Sequence, residues 1–586
     1  MTGLNHTALA FVATLSYALL VAGCGAPDPG EDERGAHAAE VADLVLIGGR
    51  VVTLDTDIDE VEALAISDDR ILAIGSNDEI RALVGERTEV VELNGRLAIP
   101  GFIEGHGHFM GLGEARLTLD LSRTTSWDEI VSMVADAAAD MPDGAWITGR
   151  GWHQERWDPP PEEAFDGVPS HHVLSESSPD NPVLLTHASG HASFANALAL
   201  EAAGIDAGSE DPPGGTIVRD AEGEPTGFLR QAAQLPAREA LARHRETLSA
   251  DERRERALQQ VSLAAEEALA HGVTSFHDAG SDFATIDLLR EVAEAGELPL
   301  RLYVAVRGES MDSMRARLAD YRLVDHADHH LTVRAIKRAI DGALGTHGAW
   351  LLEPYADKPE TSGLPQTAPE DLRALAELAL ENDYQLMTHA IGDRGNRETL
   401  DIYEALLDAN GGTIPDHRWR IEHAQHLHPD DIPRFAELGV IASMQGIHAT
   451  SDGPWVEPRL GETRTAEGAY VWRSLIESGA VICNGTDVPV EPISPLESFH
   501  ASVTRQTREG WRFHPEQAMD RMEALRSYTI DCAYAAFQDG HLGSLTPGKL
   551  ADVVVLERDI LEIDEDLIPD TRVDLTIVGG RIRHQR

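Results

Sequence analysis

The sequence predicts an α/β protein: a TIM-like (β/α)8 barrel joined to a small β-sandwich domain formed by both chain ends. Three observations predict it. Eight short apolar segments alternate with longer helical patterns, as a parallel sheet with crossover helices requires. The two ends of the chain carry the same strand–Gly-Gly–strand pattern. Several His, Lys and Asp residues fall on or just after the apolar segments, where a barrel gathers side chains into its mouth.

Taken in order, Asp43–Ile47 and Val51–Leu54 flank Gly48-Gly49, read as a turn, and Glu62–Ile66 and Ile71–Ile74 follow. Ala551–Leu556 is an apolar β-rich run, and residues 574–583 mirror residues 43–52. Residues 41–96 and 545–586 are therefore assigned to the sandwich, and 97–544 to the barrel. The eight barrel strands are placed at Leu97–Glu104, Val273–His277, Leu300–Val306, Val333–Ile340, Tyr384–Thr388, Arg418–Glu422, Val440–Met444 and Val481–Gly485. Ala257–His271, Pro369–Asn382 and Pro429–Leu438 read as helices between them. The stretch from about 119 to 270 is too long for one connection. It is read as an insertion after the first strand, a lid or substrate-pocket subdomain.

Residues 8–22 are largely apolar and end in Val21-Ala22-Gly23-Cys24. The run is short for a membrane span of ~20 residues and suits a signal-peptide core. The tetrad resembles a bacterial lipobox. That resemblance implies a signal peptide over 1–23, lipidation of Cys24, an acidic tether over 24–40, and an exported protein anchored at the outer membrane or in the periplasm. Residues 1–7 lack the Lys or Arg such signals carry.

The chain has 586 residues, with 48 Lys plus Arg against 100 Asp plus Glu; 48 − 100 gives −52. So acidic a chain excludes nucleic-acid partners, whose phosphates need clustered cations. It also confines membrane contact to the lipid anchor. Homo-oligomers stay open. The three cysteines, Cys24, Cys483 and Cys532, make neither a disulfide framework nor a Cys-rich zinc module. Cys483 reads as a core residue of the eighth strand and Cys532 as a helix residue.

The chemistry rests on a constellation. His106-Gly107-His108 follows the first strand, and histidines at i and i+2 of an extended chain reach one ion together. His389 ends the fifth strand, His423 the sixth and Asp487 the eighth, while Lys337 lies on the fourth. Five such sites on one barrel face point to a metal-dependent centre more strongly than any of them alone.

At this point the sequence resembles the amidohydrolase superfamily, in the amidohydrolase 3 branch that includes N-substituted formamide deformylases. PGFIEGHGHF, GRGWHQERW, GVTSFHDAG, IKRAIDGALG, THAIGDRG, RIEHAQ, IASMQGIH and NGTDVPV carry the resemblance, which runs from Val41 to the C-terminus. It implies two divalent metals, with zinc as the default. His106, His108 and Asp487 would bind one, His389 and His423 the other, and a carboxylated Lys337 would bridge them; a plain lysine beside a single metal is the alternative. It further implies attack of a metal-activated hydroxide on a non-peptide C–N bond of a small amide, N-formyl or N-acyl substrate, with Asp487 as base and then acid. An ester or lactone hydrolase with the same site, and an inactive metal- or solute-binding lipoprotein, remain alternatives. His191 and His448 are further candidates for binding substrate or stabilising an oxyanion. Trp152, His153 and Trp157 are weaker candidates for the pocket. Asp341 is expected to shape the metal surroundings, and His347 stands where relatives often carry Arg.

Overall fold

The computed structural model describes residues 41–586 apart from 122, 155–156, 159–160, 162–163, 166, 188–191 and 410–415. The expected signal peptide and tether, with Cys24, and His191 lie outside the described residues. No described helix is long and apolar enough to cross a membrane.

The centre is a parallel barrel of eight strands in sequential order: β1 (Phe102–Gly107), β2 (Val273–Ser281), β3 (Arg301–Val306), β4 (Leu331–Ala339), β5 (Gln385–Ala390), β6 (Arg420–His423), β7 (Ile441–Gln445) and β8 (Ile482–Gly485). All eight expected strands are present. Most are buried along their whole length, which explains why they read as near-continuous apolar runs. The ladder stops short of full closure, and the chain after β8 completes the ring. The Asp487 amide donates to the His106 carbonyl at 2.7 Å, and the His108 amide donates to the Val488 carbonyl at 2.8 Å.

Helices pack outside. The longest, Ala250–Ala270, starts at a capping box in which Ser249 and Glu252 bond each other's amides. Its buried residues Val261, Ala264, Ala265, Ala268 and Leu269 follow the i, i+3, i+4, i+7 spacing of a single apolar face. They belong to the barrel core. This helix thus closes the crossover from β1 to β2, and the insertion ends before it rather than near residue 270. The insertion carries its own six-stranded sheet, from Leu119–Asp120 to Pro225–Gln231, over two small apolar cores.

The sandwich has two sheets. One contains Arg70–Gly75, Ala63–Ser67, Ala42–Ile47 and Val84–Glu92; the other contains Arg581–Gln585, Val573–Val578, Val553–Leu556, Leu97–Pro100, Arg50–Val52 and Glu60–Val61. The expected strand Leu97–Glu104 is therefore two strands. Leu97–Pro100 completes the sandwich, and β1 begins after Gly101. Val553–Leu556 is buried on both faces: Val553 and Val555 point into the sandwich core, Val554 and Leu556 into the barrel core. A bidentate pair fixes the same junction, with Arg301 Nε and Nη2 at 2.8 and 2.9 Å from the Asp552 carboxylate.

The two Gly-Gly pairs behave differently. Gly579 and Gly580, at φ +54° and +70°, close a hairpin. Gly48-Gly49 instead carries the chain from one sheet to the other. A Cβ on Gly49 would stand 2.5 Å from Leu93 Cβ, so this pair answers to packing rather than to a hairpin turn.

Cys483 on β8 and Cys532 on helix Ile530–Ala535 form a disulfide across 49 residues of sequence. This corrects the reading of two unlinked cysteines. Barrel closure brings them together, and spacing along the chain does not reveal it.

Candidate active site

The carboxyl ends of the strands open into a cavity of about 400 Å³, lined by His106, His108, Lys337, His389, His423, His448 and Asp487. Six of these seven are the expected metal ligands, and the seventh is the expected His448. One ligand atom each from His106, His423 and Asp487 lies within 4.8 Å of the other two. His108 Nε2 is 3.2 Å from Asp487 Oδ1, and His106 Nε2 is 3.1 Å from Lys337 Nζ. His423 packs between His106 and His389, with ring centroids 4.7 and 4.5 Å away.

Two of the histidines and the Asp487 turn are fixed by neighbours. His106 Nδ1 is bonded to Glu422, which leaves Nε2 facing the cavity. Glu422 is fully buried, with Arg420 Nε 2.7 Å from its Oε1. Burial pushes the Glu422 carboxyl up, but Arg420 and then His106 outweigh it and hold it ionised. His423 Nδ1 meets Gln445 Oε1 at 2.8 Å, again freeing the other nitrogen. Glu104 receives the Thr486 amide at 2.7 Å and the Thr486 hydroxyl at 2.8 Å, tying the Asp487 turn to β1. His423 and Asp487 sit at φ +76° and +60°, a conformation costly for residues with a Cβ and held here by these contacts.

The electrostatics suit a divalent cation. Burial, with Lys337 next, lowers the His106 imidazole to about 4 and the His389 imidazole to about 3, so both stay in the neutral, ligating form. Burial also brings the Lys337 amine down to about 8. The Asp487 carboxylate stays ionised, because His108, with Nε2 3.2 Å from Oδ1, and the surrounding imidazoles overcome its burial. Asp487 Oδ1, His389 Nε2 and His448 Nε2 are buried without a hydrogen-bond partner. Unpaired buried donors and acceptors are costly. Several imidazoles and a carboxylate converging without partners fit a borderline divalent metal.

Other expected residues lie elsewhere. Asp341 is behind the mouth, accepting the amides of Trp350, Ile391 and Gly392 at 2.8–2.9 Å, with Oδ1 3.8 Å from His389 Nε2. His347 turns away from the cavity to Asp357, with Nε2 3.2 Å from Oδ1. Trp152 is fully buried in the insertion core, stacked with Trp157, and its Nε1 donates to the Leu185 carbonyl. It packs rather than lines the mouth. His153 stacks near His187 and is not among the described residues lining the cavity.

Sequence reading missed Glu422, Gln425, Gln445 and Arg307. Arg420 and Glu422, alternating inside the apolar strand RWRIEH, were the available signal: charges at period two in a fully buried strand need partners. A larger groove of about 800 Å³, lined by residues such as Asp393, Arg397, His426 and Arg464, shares no lining residue with the mouth. Volume alone does not locate the chemistry.

The family model described as "Amidohydrolase family" matches residues 89–584. The chain belongs to the amidohydrolase family. This amidohydrolase is 35% identical over 560 residues to Protein LONG AFTER FAR-RED 3 of Arabidopsis thaliana, covering 93% of this chain and 92% of that protein. It is 31% identical to the putative amidohydrolase YtcJ of Bacillus subtilis, covering 92% and 99%. It is 28% identical to the N-substituted formamide deformylase of Arthrobacter pascens, covering 93% and 99%. An uncharacterized metal-dependent hydrolase from Pyrococcus horikoshii aligns at a TM-score of 0.69 with 26% identity, covering 89% of this chain and 99% of that one. The amidohydrolase is accordingly a hydrolase, and its donor set supports a divalent metal.

Proposed function

We propose that this amidohydrolase cleaves a non-peptide C–N bond of a small molecule: an amide, or an N-formyl or N-acyl group. The observation that carries the reading is the convergence of His106, His423 and Asp487, with unpartnered Asp487 Oδ1 and His448 Nε2, in one cavity at the strand ends. The likeness to a formamide deformylase over nearly the whole chain supports the choice of bond.

In this reading His106, His108 and Asp487 would hold one cation and His389 and His423 a second, with a carboxylated Lys337 as a further anionic ligand. Zinc is the metal we assign. Such cations would supply Lewis acidity toward a water and the scissile carbonyl. The chain supplies the rest. The Lys337 amine, lowered by burial, is in the form that takes up CO2 more often than an exposed lysine. Asp487 takes the proton of the attacking water and passes it to the leaving amine. His448 stabilises the carbonyl oxygen. Its Nδ1 accepts from Gln425 Nε2 at 3.1 Å, so in the neutral ring Nε2 carries the proton and donates. At the N-terminus, the lipobox-like tetrad supports export and anchoring through Cys24.

The test is turnover by zinc-loaded protein on matched panels of formamides, N-acyl amides and esters. Turnover of amides or formamides, lost in Asp487→Asn, supports the proposal. Turnover confined to esters would overturn the bond assignment.

A further inference from the structure

A second cluster of metal-type donors sits at the opposite end of the barrel. Asp325 and His329 lie just before β4, at its amino end, and His541 lies on the segment that leads from the barrel into the C-terminal sandwich strands. His329 Nδ1 and His541 Nε2 are each 3.3 Å from Asp325 Oδ1, and all three ligand atoms lie within 4.8 Å of one another. The two imidazoles are 4.8 Å apart, centroid to centroid.

Hydrogen bonding accounts for this arrangement only weakly. His329 Nδ1 and His541 Nε2 are solvent-shielded atoms of partly exposed side chains, and neither meets the shared carboxylate oxygen, 3.3 Å away, in good hydrogen-bond geometry. The neighbouring histidines of the same loop are committed elsewhere: His326 Nε2 to Glu294 at 3.0 Å, and His330 Nδ1 to the Leu300 carbonyl at 3.0 Å. Bonds of ~2.0–2.2 Å at tetrahedral angles place ligand atoms roughly 3.3–3.5 Å apart. That matches both spacings to Asp325. The loop is also held in an unfavourable shape, with Asp325, Ala327, Asp328 and His329 at φ between +50° and +65°.

We propose that Asp325, His329 and His541 give three ligands of a site for a borderline divalent metal such as zinc, with water in the fourth position, pinning the His541 segment to the base of β4. Two imidazoles and one carboxylate favour Zn(II) or its neighbours over Mg(II) or Ca(II), which select all-oxygen sites. The site is independent of the mouth: it shares no residue with it and lines no part of its cavity. Its role is to clamp the exit of the barrel to its floor, not to meet substrate.

The experiment compares zinc per chain, by elemental mass spectrometry after loading and desalting, in wild type, His541→Gln and His329→Ala. The expected result is a loss of about one equivalent in each variant, with kcat/KM changed less than twofold. Zinc content equal to wild type would overturn the site. A second measurement on the unmodified chain covers the case of a variant that folds poorly. Diethylpyrocarbonate labelling, mapped by peptide mass, should modify His329 and His541 in the metal-stripped protein and be suppressed several-fold by zinc. Equal labelling with and without zinc would also overturn the site.

Discussion

The two ends of the barrel carry the same donor chemistry in different settings. At the mouth, histidines and an aspartate come from the ends of five strands, and buried Glu422, Glu104 and Gln445 fix their orientation around a cavity of about 400 Å³. At the base, Asp325, His329 and His541 come from one strained loop and one connecting segment, with no such support and no cavity among those described. The contrast separates a centre arranged to act on a substrate from one arranged to hold chain segments together. Ligand type is shared; what differs is the supporting shell and the space left for a reactant.

The comparison is broken most severely at the mouth. Asp487→Asn keeps the shape of the side chain but removes its basicity, and kcat/KM should fall by about 10³-fold in steady-state assays. Glu422→Gln should cost roughly 10–100-fold in activity or metal affinity, because it weakens the hold on His106 without touching substrate. A metal titration alongside kinetics distinguishes this from misfolding, since excess zinc should restore part of the rate.

A buried histidine belonging to neither cluster serves as a control. Burial, then Arg464, lowers His426 to about 3, well under its ordinary value near 6.5. The folded state therefore binds this proton less readily than the unfolded one. Its contribution is intact above pH 6.5 and is lost as pH falls from 6.5 toward 3. Below pH 6.5, denaturation curves of His426→Gln should show a slope of stability against pH smaller by up to about 1.4 kcal/mol per pH unit. An unchanged slope would mean His426 stays as protonatable in the fold as out of it. The smallest catalytic effect belongs to the base: His541→Gln should leave kcat/KM within twofold while lowering the melting temperature of the zinc-loaded protein by a few degrees.

Much of the barrel was legible because buried parallel strands must be apolar along their whole length, and the ligands sit at their ends. His106, His108, Lys337, His389, His423, His448 and Asp487 could be placed in one mouth for that reason. Four features resisted. Leu97–Glu104 reads as one strand because apolar pattern does not mark the change of sheet at Gly101. Trp152 and Trp157 look like pocket residues because an aromatic cluster next to a motif resembles a binding wall; only the insertion's own core shows them packing. The Cys483–Cys532 bond and the approach of His541 to Asp325 and His329 join distant positions through the tertiary fold, and no local spacing encodes either.

We propose that the mouth holds a binuclear metal centre that does the hydrolysis. The most direct test is zinc per chain, measured with activity, in a His541→Gln background so that the base site does not contribute. About two equivalents are expected, with both zinc and turnover falling in Lys337→Ala and in Asp487→Asn. Zinc content in that background unchanged by either substitution would contradict it.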